Sequence, residues 1–404
     1  MHFAGVCEPS SSHLMFMAAI GRALMRRGHR FTLFQPANMA VWAEREDVSL
    51  HDLDPYWRAT SPPQPMGSLG QSMRYFCETL PNALTEVGIQ CVLTDQLIPA
   101  GGSAAEAIGL PFVTLCIAAP MNGEPAIPPN FVPWSYRATP LGRLRNRAAY
   151  SIRDLFLLPA NIVLNRYRRR WRLPSYRRPE DSFSRLAQIT QIIAEFDFPR
   201  SELPDCFHYV GPYERHKQNA VAFPFDQLDG RPLIYLAFGT QIGEKQNVWR
   251  AVAEACVALD VQLVLSKGNL DDVAAESPQL PGNPIVVRFA PQSDLLKRTA
   301  VFVTHGGLNS TLEALTNGVP MAAVPFDGDT PGITSRIVFH GVGQALPRKS
   351  SPQAWRRALA QILEDPTYRQ QAQRFARLIQ QTRGAEQAAE IVEQAATTGR
   401  PVTT

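Results

Sequence analysis

The chain is short of charge, of cysteine and of long apolar runs. Only 19% of its 404 residues are Asp, Glu, Lys or Arg, while 45% are hydrophobic, which excludes a disordered tail and a collagen-like fibre. Its six cysteines (Cys7, Cys77, Cys91, Cys116, Cys206 and Cys256) are scattered with no CxxC pair. That excludes a disulfide-knotted miniprotein and predicts reduced, buried thiols. No run of 18 apolar residues is present to span a bilayer. The chain opens on the strand-like run Phe3–Val6, with no basic segment leading into an apolar one. No signal peptide is therefore expected, and the cytoplasm is the expected compartment. HExxH, GxSxG and Walker loops are missing too. Proline is abundant at 34 residues, which predicts many punctuated loops.

Lysine is missing where arginine is densest. Between Trp134 and Arg178 stand twelve arginines, no lysine and one acid, Asp154; this segment carries +11 on a chain of net charge +4, leaving −7 for the remainder. One reading is a solvated helix face. Another is peripheral contact with anionic lipid headgroups, aided by the interleaved Tyr150, Phe156, Leu157, Leu158, Tyr167 and Trp171. No nucleic-acid motif accompanies the patch, so nucleic acid is not an expected partner.

Strand-like and helix-like segments alternate, which predicts parallel α/β architecture in two domains. Strands are expected at Phe3–Cys7, Phe31–Gln35, Cys91–Thr94 and Phe112–Ile117, then at Leu233–Phe238, Gln262–Leu265, Ile285–Phe289, Val301–Thr304 and Met321–Pro325. Helices are expected over His13–Arg27, Gly101–Ile108, Leu144–Trp171, Asn247–Leu259, Leu308–Thr316 and Pro352–Leu363, with one long helical tail over Pro366–Ala396. Residues 120–140, rich in proline and aromatics, read as a loop. The expected division is 1–212, a linker at 213–231, 232–380, and a C-terminal helix and tail over 381–404 that can return to the first domain. Two doubly wound halves imply a cleft at the carboxyl ends of their strands.

The most informative stretch runs from Arg288 to Arg336. A buried strand there ends in His305-Gly306-Gly307, and Leu308-Asn309-Ser310-Thr311 opens a helix. Two glycines allow a sharp turn, and the first helical N–H groups then face the loop as an anion site suited to a diphosphate. His305, Asn309 and Ser310 add donors, Glu313 suits a ribose diol, and Phe289 with Gln292 suits a flat base. An ordinary tight βα turn has the same form, so the glycine pair alone does not decide.

With APQ before it and GVP, VP and Asp329 after it, the stretch resembles the donor-binding signature of family 1 UDP-glycosyltransferases of the GT-B fold. The segments HFAGVCEPSSSH, LTDQLIPAG, AEAIGLPFVTL, LNRYRRRWRLP, PLIYLAFGT and VQLVLSKG extend the likeness to the bacterial and cyanobacterial, carotenoid-glucosylating branch, from Met1 to about Val392. The resemblance implies two Rossmann-like domains facing across a cleft, the first binding the acceptor and the second the nucleotide sugar. Phe289, in place of the usual Trp, would stack on uracil, with Ala290 and Gln292 holding base and ribose and Glu313 accepting from the ribose. Gly307, His305, Asn309 and Ser310 would hold the diphosphate, closed over by Gly239 and Thr240. Asp329 would contact the sugar. Its usual neighbour, Gln, is Thr330 here, which leaves the donor sugar open with glucose first.

His13 lies in the loop after the first strand and matches the family's catalytic base, although Ser12 and Phe16 stand where Gly and Pro are usual. Asp95 ends the run Cys91–Thr94 and matches the carboxylate that orients that base; a helix N-cap is its alternative role. The acceptor pocket is expected from Met15, Phe16, Tyr75, Phe76, Met121, Asn122, Phe131 and Trp134, which suit a lipophilic hydroxyl compound such as a carotenoid, another isoprenoid or a polyketide. Asp327-Gly328-Asp329 is formally a DxD but reads as a sugar-contact loop, so no metal and no cofactor beyond the UDP-sugar co-substrate is expected. The alternatives are a UDP-sugar epimerase on the same fold and a non-catalytic nucleotide-sugar binder.

Overall fold

The computed structural model describes residues 1–57, 69–213, 222–239, 246–268 and 279–404. Its first sheet holds β1 (His2–Val6), β2 (Arg30–Gln35), β3 (Ser49–Asp52), β4 (Cys91–Asp95), β5 (Phe112–Cys116), β6 (Gln188–Thr190) and β7 (Phe207–Tyr209), in the order β3-β2-β1-β4-β5-β6-β7. The second holds β8 (Leu233–Ala237), β9 (Gln262–Ser266), β10 (Ile285–Val287), β11 (Thr299–Thr304), β12 (Met321–Ala323) and β13 (Gly343–Ala345), in the order β10-β9-β8-β11-β12-β13. Every pairing is parallel. The expected pair of doubly wound α/β sheets is present. In both, strand order reverses beside the first strand, between β1 and β4 and between β8 and β11, and such a reversal opens a crevice at the carboxyl ends.

Helices α1 (Ser11–Arg26), α2 (Ala40–Arg45), α3 (Leu69–Val87), α4 (Pro99–Ala107) and α5 (Pro140–Arg170) follow strands of the first sheet. Helices α6 (Gln246–Val257), α7 (Gln292–Leu296), α8 (Leu308–Thr316), α9 (Thr330–Phe339), α10 (Pro352–Glu364) and α11 (Pro366–Ile379) follow the second, and α12 (Gly384–Thr398) comes last. Leu14, Met17, Ile20 and Leu24 recur at helical spacing along α1 and pack with Ala388, Val392 and Ala395 of α12. Apolar residues of α3, α4 and α5 form the other core of that sheet. In the second lobe, fully buried Trp249 and Trp355 anchor α6 and α10, while α8, α9 and α11 build the opposite core. All six cysteines are buried and unpaired.

Some expectations change. The tail is two helices rather than one: Gly384 takes φ +46° and its N–H donates to Val210 O at 3.0 Å, which turns α12 back onto α1. Helix α3 is not legible as one, because Pro81 stands inside it and removes a backbone donor. Its buried Met73, Phe76, Leu80 and Leu84 outweigh that loss through packing. Strands β3, β6, β7 and β13 have three or four residues each, too few for a periodic signal. Of the linker expected at 213–231, residues 214–221 lie outside the described residues.

The lobes are joined by a buried charge. Asp197 Oδ1 accepts from Arg336 Nε and Nη2 of α9 at 2.9 and 2.7 Å, and Oδ2 accepts from Arg200 Nε at 2.7 Å and Tyr209 OH at 2.8 Å. Burial alone would push this carboxyl up; the two guanidiniums override it and hold it well below the usual range. Removing one partner of such a set strands the others without water. Asp197→Ala should therefore lower unfolding free energy by about 3–5 kcal/mol. By contrast Arg26→Ala, which removes the exposed pair with Glu386, should cost less than about 1 kcal/mol. Urea unfolding of both variants beside the parent protein checks the contrast.

Candidate active site

In the first sheet Val6 of β1 lies opposite Thr94 of β4, so the loop after β1 and the end of β4 sit side by side. Ser10 caps α1 by accepting from His13 N, which sets His13 in the first helical turn. Its Nδ1–H donates to Oδ2 of the fully buried Asp95 at 2.5 Å. The rest of that carboxylate is also occupied: Glu8 N donates to Oδ2 at 3.2 Å and Leu97 N to Oδ1 at 3.0 Å. Asp95 thus braces the turn, while the N-cap of α4 is Ile98. The other ring nitrogen, Nε2, faces Glu8 Oε2 at 3.4 Å. Sequence reading passed over Glu8; the signal was an acid sharing one βα loop with a histidine.

Burial works to lower the pKa of His13. The charge and hydrogen bond of Asp95, followed by the charges of Glu8 and Asp329, reverse this and raise it to about 9. Burial also raises the Glu8 carboxyl, only partly offset by His13.

The second sheet repeats the arrangement, with Ala237 of β8 opposite Thr304 of β11. After β11 the chain turns at Gly306, where φ is +78° and a Cβ would lie 2.4 Å from Thr334 Oγ1. At Gly307 a Cβ would lie 2.3 Å from His305 Nε2, and at Gly239 one would lie 3.5 Å from His305 Cε1. The His305 ring therefore rests against the glycines that end both strands, a close approach that a side chain at Gly307 would block. Gly307, the N-cap of α8, has no side chain to cap that end, and the first N–H groups of a helix lack intrahelical partners and suit an anion. Asn309 and Ser310 sit half-buried in that first turn. Thr240 lies outside the described residues.

Helices α7 and α8 bring Gln292, Ser293 and Glu313 together. Gln292 Nε2 donates to Glu313 Oε2 at 2.6 Å and Ser293 Oγ to Oε1 at 2.9 Å. Phe289 lies beyond the end of β10, 40% exposed, with the Arg288 guanidinium 5.5 Å from its ring centre. Ala290 packs on the core beneath.

Asp329, before α9, reaches across to the first lobe, where its Oδ2 accepts from Ala119 N at 2.9 Å. Thr330 is buried, and its hydroxyl donates to Asp327 O at 2.8 Å and accepts from Phe326 N at 3.0 Å. It serves the turn. No group of three metal-ligating side chains occurs among the described residues.

The expected acceptor residues divide. Phe16 and Phe76 are core residues, 8% and 1% exposed in separate clusters, because α1 and α3 turn those faces to the sheet; Tyr75 is buried beside Phe76. Met15, Met121, Asn122 and Trp134 are half-buried and Phe131 is exposed. Asn122 Nδ2 donates to Gln188 Oε1 at 2.9 Å, and Arg145 lies 4.6 Å over the Trp134 ring. Three further residues hold the cleft. Gln191 Nε2 donates to Asn309 Oδ1 at 3.1 Å, Asn130 O accepts from Gly332 N at 2.7 Å, and Gln96 Nε2 donates to Ala119 O at 3.0 Å.

A family model described as "UDP-glucoronosyl and UDP-glucosyl transferase" matches residues 72–383. The zeaxanthin glucosyltransferase of Pantoea ananas is 31% identical over 422 residues, spanning 99% of this chain and 97% of its own. That of Pseudescherichia vulneris is also 31% identical, over 98% of both chains. Among solved structures, the glycotransferase of kitacinnamycin matches with a TM-score of 0.76 at 22% identity, over 97% of this chain and 98% of that one. The paired sheets are thus the GT-B glycosyltransferase fold. This chain belongs to the UDP-glycosyltransferase family.

Proposed function

We propose that the enzyme is an inverting glycosyltransferase that moves a hexose, glucose first, from a UDP-sugar to a hydroxyl of a lipophilic acceptor. A carotenoid leads, ahead of other isoprenoids and polyketides, and the acceptor is drawn from a membrane to which the enzyme is peripheral. The observation that carries the reading is the pairing of His13 with buried Asp95 at one strand reversal, opposite the uncapped N-terminus of α8 at the other. The full-length zeaxanthin glucosyltransferase relatives support the sugar and the acceptor class.

In this mechanism Asp95 keeps the proton on Nδ1, so that Nε2 accepts the hydroxyl proton as the acceptor oxygen attacks the anomeric carbon. The new C–O bond forms on one face and the bond to the diphosphate breaks on the other, which inverts that carbon. The electron pair leaves with UDP, whose charge is met by the α8 N–H groups, Asn309, Ser310 and His305, with no metal assigned a part. Phe289, Ala290 and Gln292 hold the base and Glu313 the ribose. Asn309 donates from Nδ2 to phosphate while its Oδ1 keeps Gln191, and Asp329 exchanges Ala119 N for sugar hydroxyls. Because the Thr330 hydroxyl is used within its own turn, sugar recognition rests on Asp329.

Two measurements test the reading. His13→Ala should lower kcat by about 10²–10⁴-fold while UDP affinity, read by calorimetry, stays within about twofold of the parent; a variant that keeps full turnover refutes the assignment. The second concerns pH. A base must be unprotonated, so the acid limb of kcat/KM should lie near the raised pKa of about 9. Glu8→Gln removes a negative charge facing Nε2, lowers that pKa, and should move the limb to lower pH and raise the rate at neutral pH. An unmoved limb would show that Glu8 does not govern His13.

A further inference from the structure

Helix α5 is 31 residues long, and the side it turns to solvent is apolar. Leu141, Leu144, Ile152, Leu155, Phe156 and Ile162 are 45–79% exposed. At about 100° per residue they fall, with Ala148 and Pro159, in a single stripe roughly 30 Å long. With Leu158, seven of the fourteen exposed large apolar side chains among the described residues lie on this helix. A surface helix normally has the reverse arrangement, apolar toward the core and polar outward. Arg143 and Arg147 flank the stripe at its N-terminal end, and Arg166, Arg169 and Arg170 extend it at the other. All five are exposed, and the ion pairs of α5 among the described residues belong to Arg153 and Arg168 instead.

We infer that the outward stripe of α5 docks in the headgroup layer of an anionic membrane, with its apolar side chains in the acyl boundary and its terminal arginines on lipid phosphates. A second copy of the chain fits badly. Two such stripes packed together set arginine against arginine at both ends, whichever way the helices run, and like charges brought close repel. Anionic lipid satisfies both features at once, since its phosphates answer the arginines and its interface takes the leucines and phenylalanine. No helix among the described residues is long and apolar enough to cross a membrane, so the contact is one of lying on the surface.

The opposite side of α5 holds the loop that leads to the cleft. Asn146 Nδ2 donates to Pro125 O at 3.0 Å, Tyr150 OH to Ile127 O at 3.1 Å and Arg153 Nη1 to Met121 O at 3.0 Å. Docking therefore sets the acceptor loop about one helix diameter, roughly 10 Å, from the bilayer. The inference deepens the membrane setting in the proposed function and rests on that part of it, but its test needs no turnover.

Sedimentation with vesicles of phosphatidylcholine, alone or mixed with phosphatidylglycerol, tests it on the full chain. The parent protein should bind the mixed vesicles at least tenfold more tightly than the neutral ones, and high salt should reduce that preference. Leu155→Ser/Phe156→Ser should weaken binding at least tenfold, as should Arg166→Glu/Arg169→Glu; light scattering should find the parent and both variants monomeric. These positions are exposed, and unchanged UDP affinity and transfer to a water-soluble alcohol certify folding, so transfer without docking would sink the membrane contact alone. Absent vesicle binding, equal binding by parent and variants, or a parent dimer that Leu155→Ser/Phe156→Ser dissociates would each overturn the inference, the last assigning the stripe to a second copy.

Discussion

The geometry of the cleft hangs on one buried carboxylate. The lobes share one apolar core, in which Ile192, Ile193 and Phe196 of the first pack with Leu308, Ile337 and Phe375 of the second, and the groups assigned to the reaction are divided between them. Asp197 with Arg336, Arg200 and Tyr209 fixes how they face each other. Such a cluster tolerates burial only when every partner is in place, because a stranded charge in a dry joint is far costlier than a lost surface pair. The joint therefore specifies one arrangement of the lobes. Inside the cleft the bridges are of another kind: Gln191 to Asn309, Ala119 to Asp329 and Asn130 to Gly332 are ordinary hydrogen bonds, each worth about 1 kcal/mol net. In the proposed function a sugar hydroxyl can replace Ala119 N on Asp329 like for like, donor for donor, while Asp197 keeps the lobes in register.

The same joint gives the cleft an electrostatic direction. Glu8, Asp95 and Asp329 all act on His13 from one end, while the other end presents the positive terminus of α8 and the His305 ring. A nucleotide sugar has its charge concentrated in the diphosphate and none in the hexose. In the proposed function, a diphosphate entering toward α8 would meet the N–H groups of its first turn; entering the other way, it would meet Glu8 and Asp329, with Asp95 buried behind His13. Charge thus favours the donor orientation of the proposed function, with the anomeric carbon between phosphate site and imidazole.

What could be read in the sequence was local. His305-Gly306-Gly307 and the start of α8 are adjacent in the chain, and the glycines carry their own physical reason. Asp95 was legible because it ends a recognisable apolar run, and His13 because it lies in the loop after one and matches the family's pattern. Glu8, Gln191 and Asn130 were not, since their partners lie across a loop or in the other lobe and no spacing announces them. Phe16 and Phe76 show the converse difficulty: an apolar residue beside a loop reads the same whether it fills a core or lines a pocket, and the structure packs both into apolar clusters. Thr330 was rightly marked as a departure, but that its hydroxyl closes its own turn is a matter of backbone geometry. The break at Gly384 needed the carbonyl of Val210 to be visible.

Helix α5 is where the sequence showed the charge and concealed its meaning. Twelve arginines between Trp134 and Arg178 read as one basic patch, yet the fold sorts them. Arg168 is buried on Glu106 and Ser103, and Arg153 pairs with Asp154 and Glu180, so these hold the helix to its lobe. The exposed ones gather toward the ends, and an apolar stripe remains between them. A lipophilic acceptor is costly to carry through water, at about 25 cal/mol for each Å² of apolar surface wetted. A helix whose inner face holds the acceptor loop and whose outer face is apolar shortens that passage to its own width. The exposure of Leu155 and Phe156 would be a liability for a protein free in water; against a bilayer it joins the membrane to the cleft.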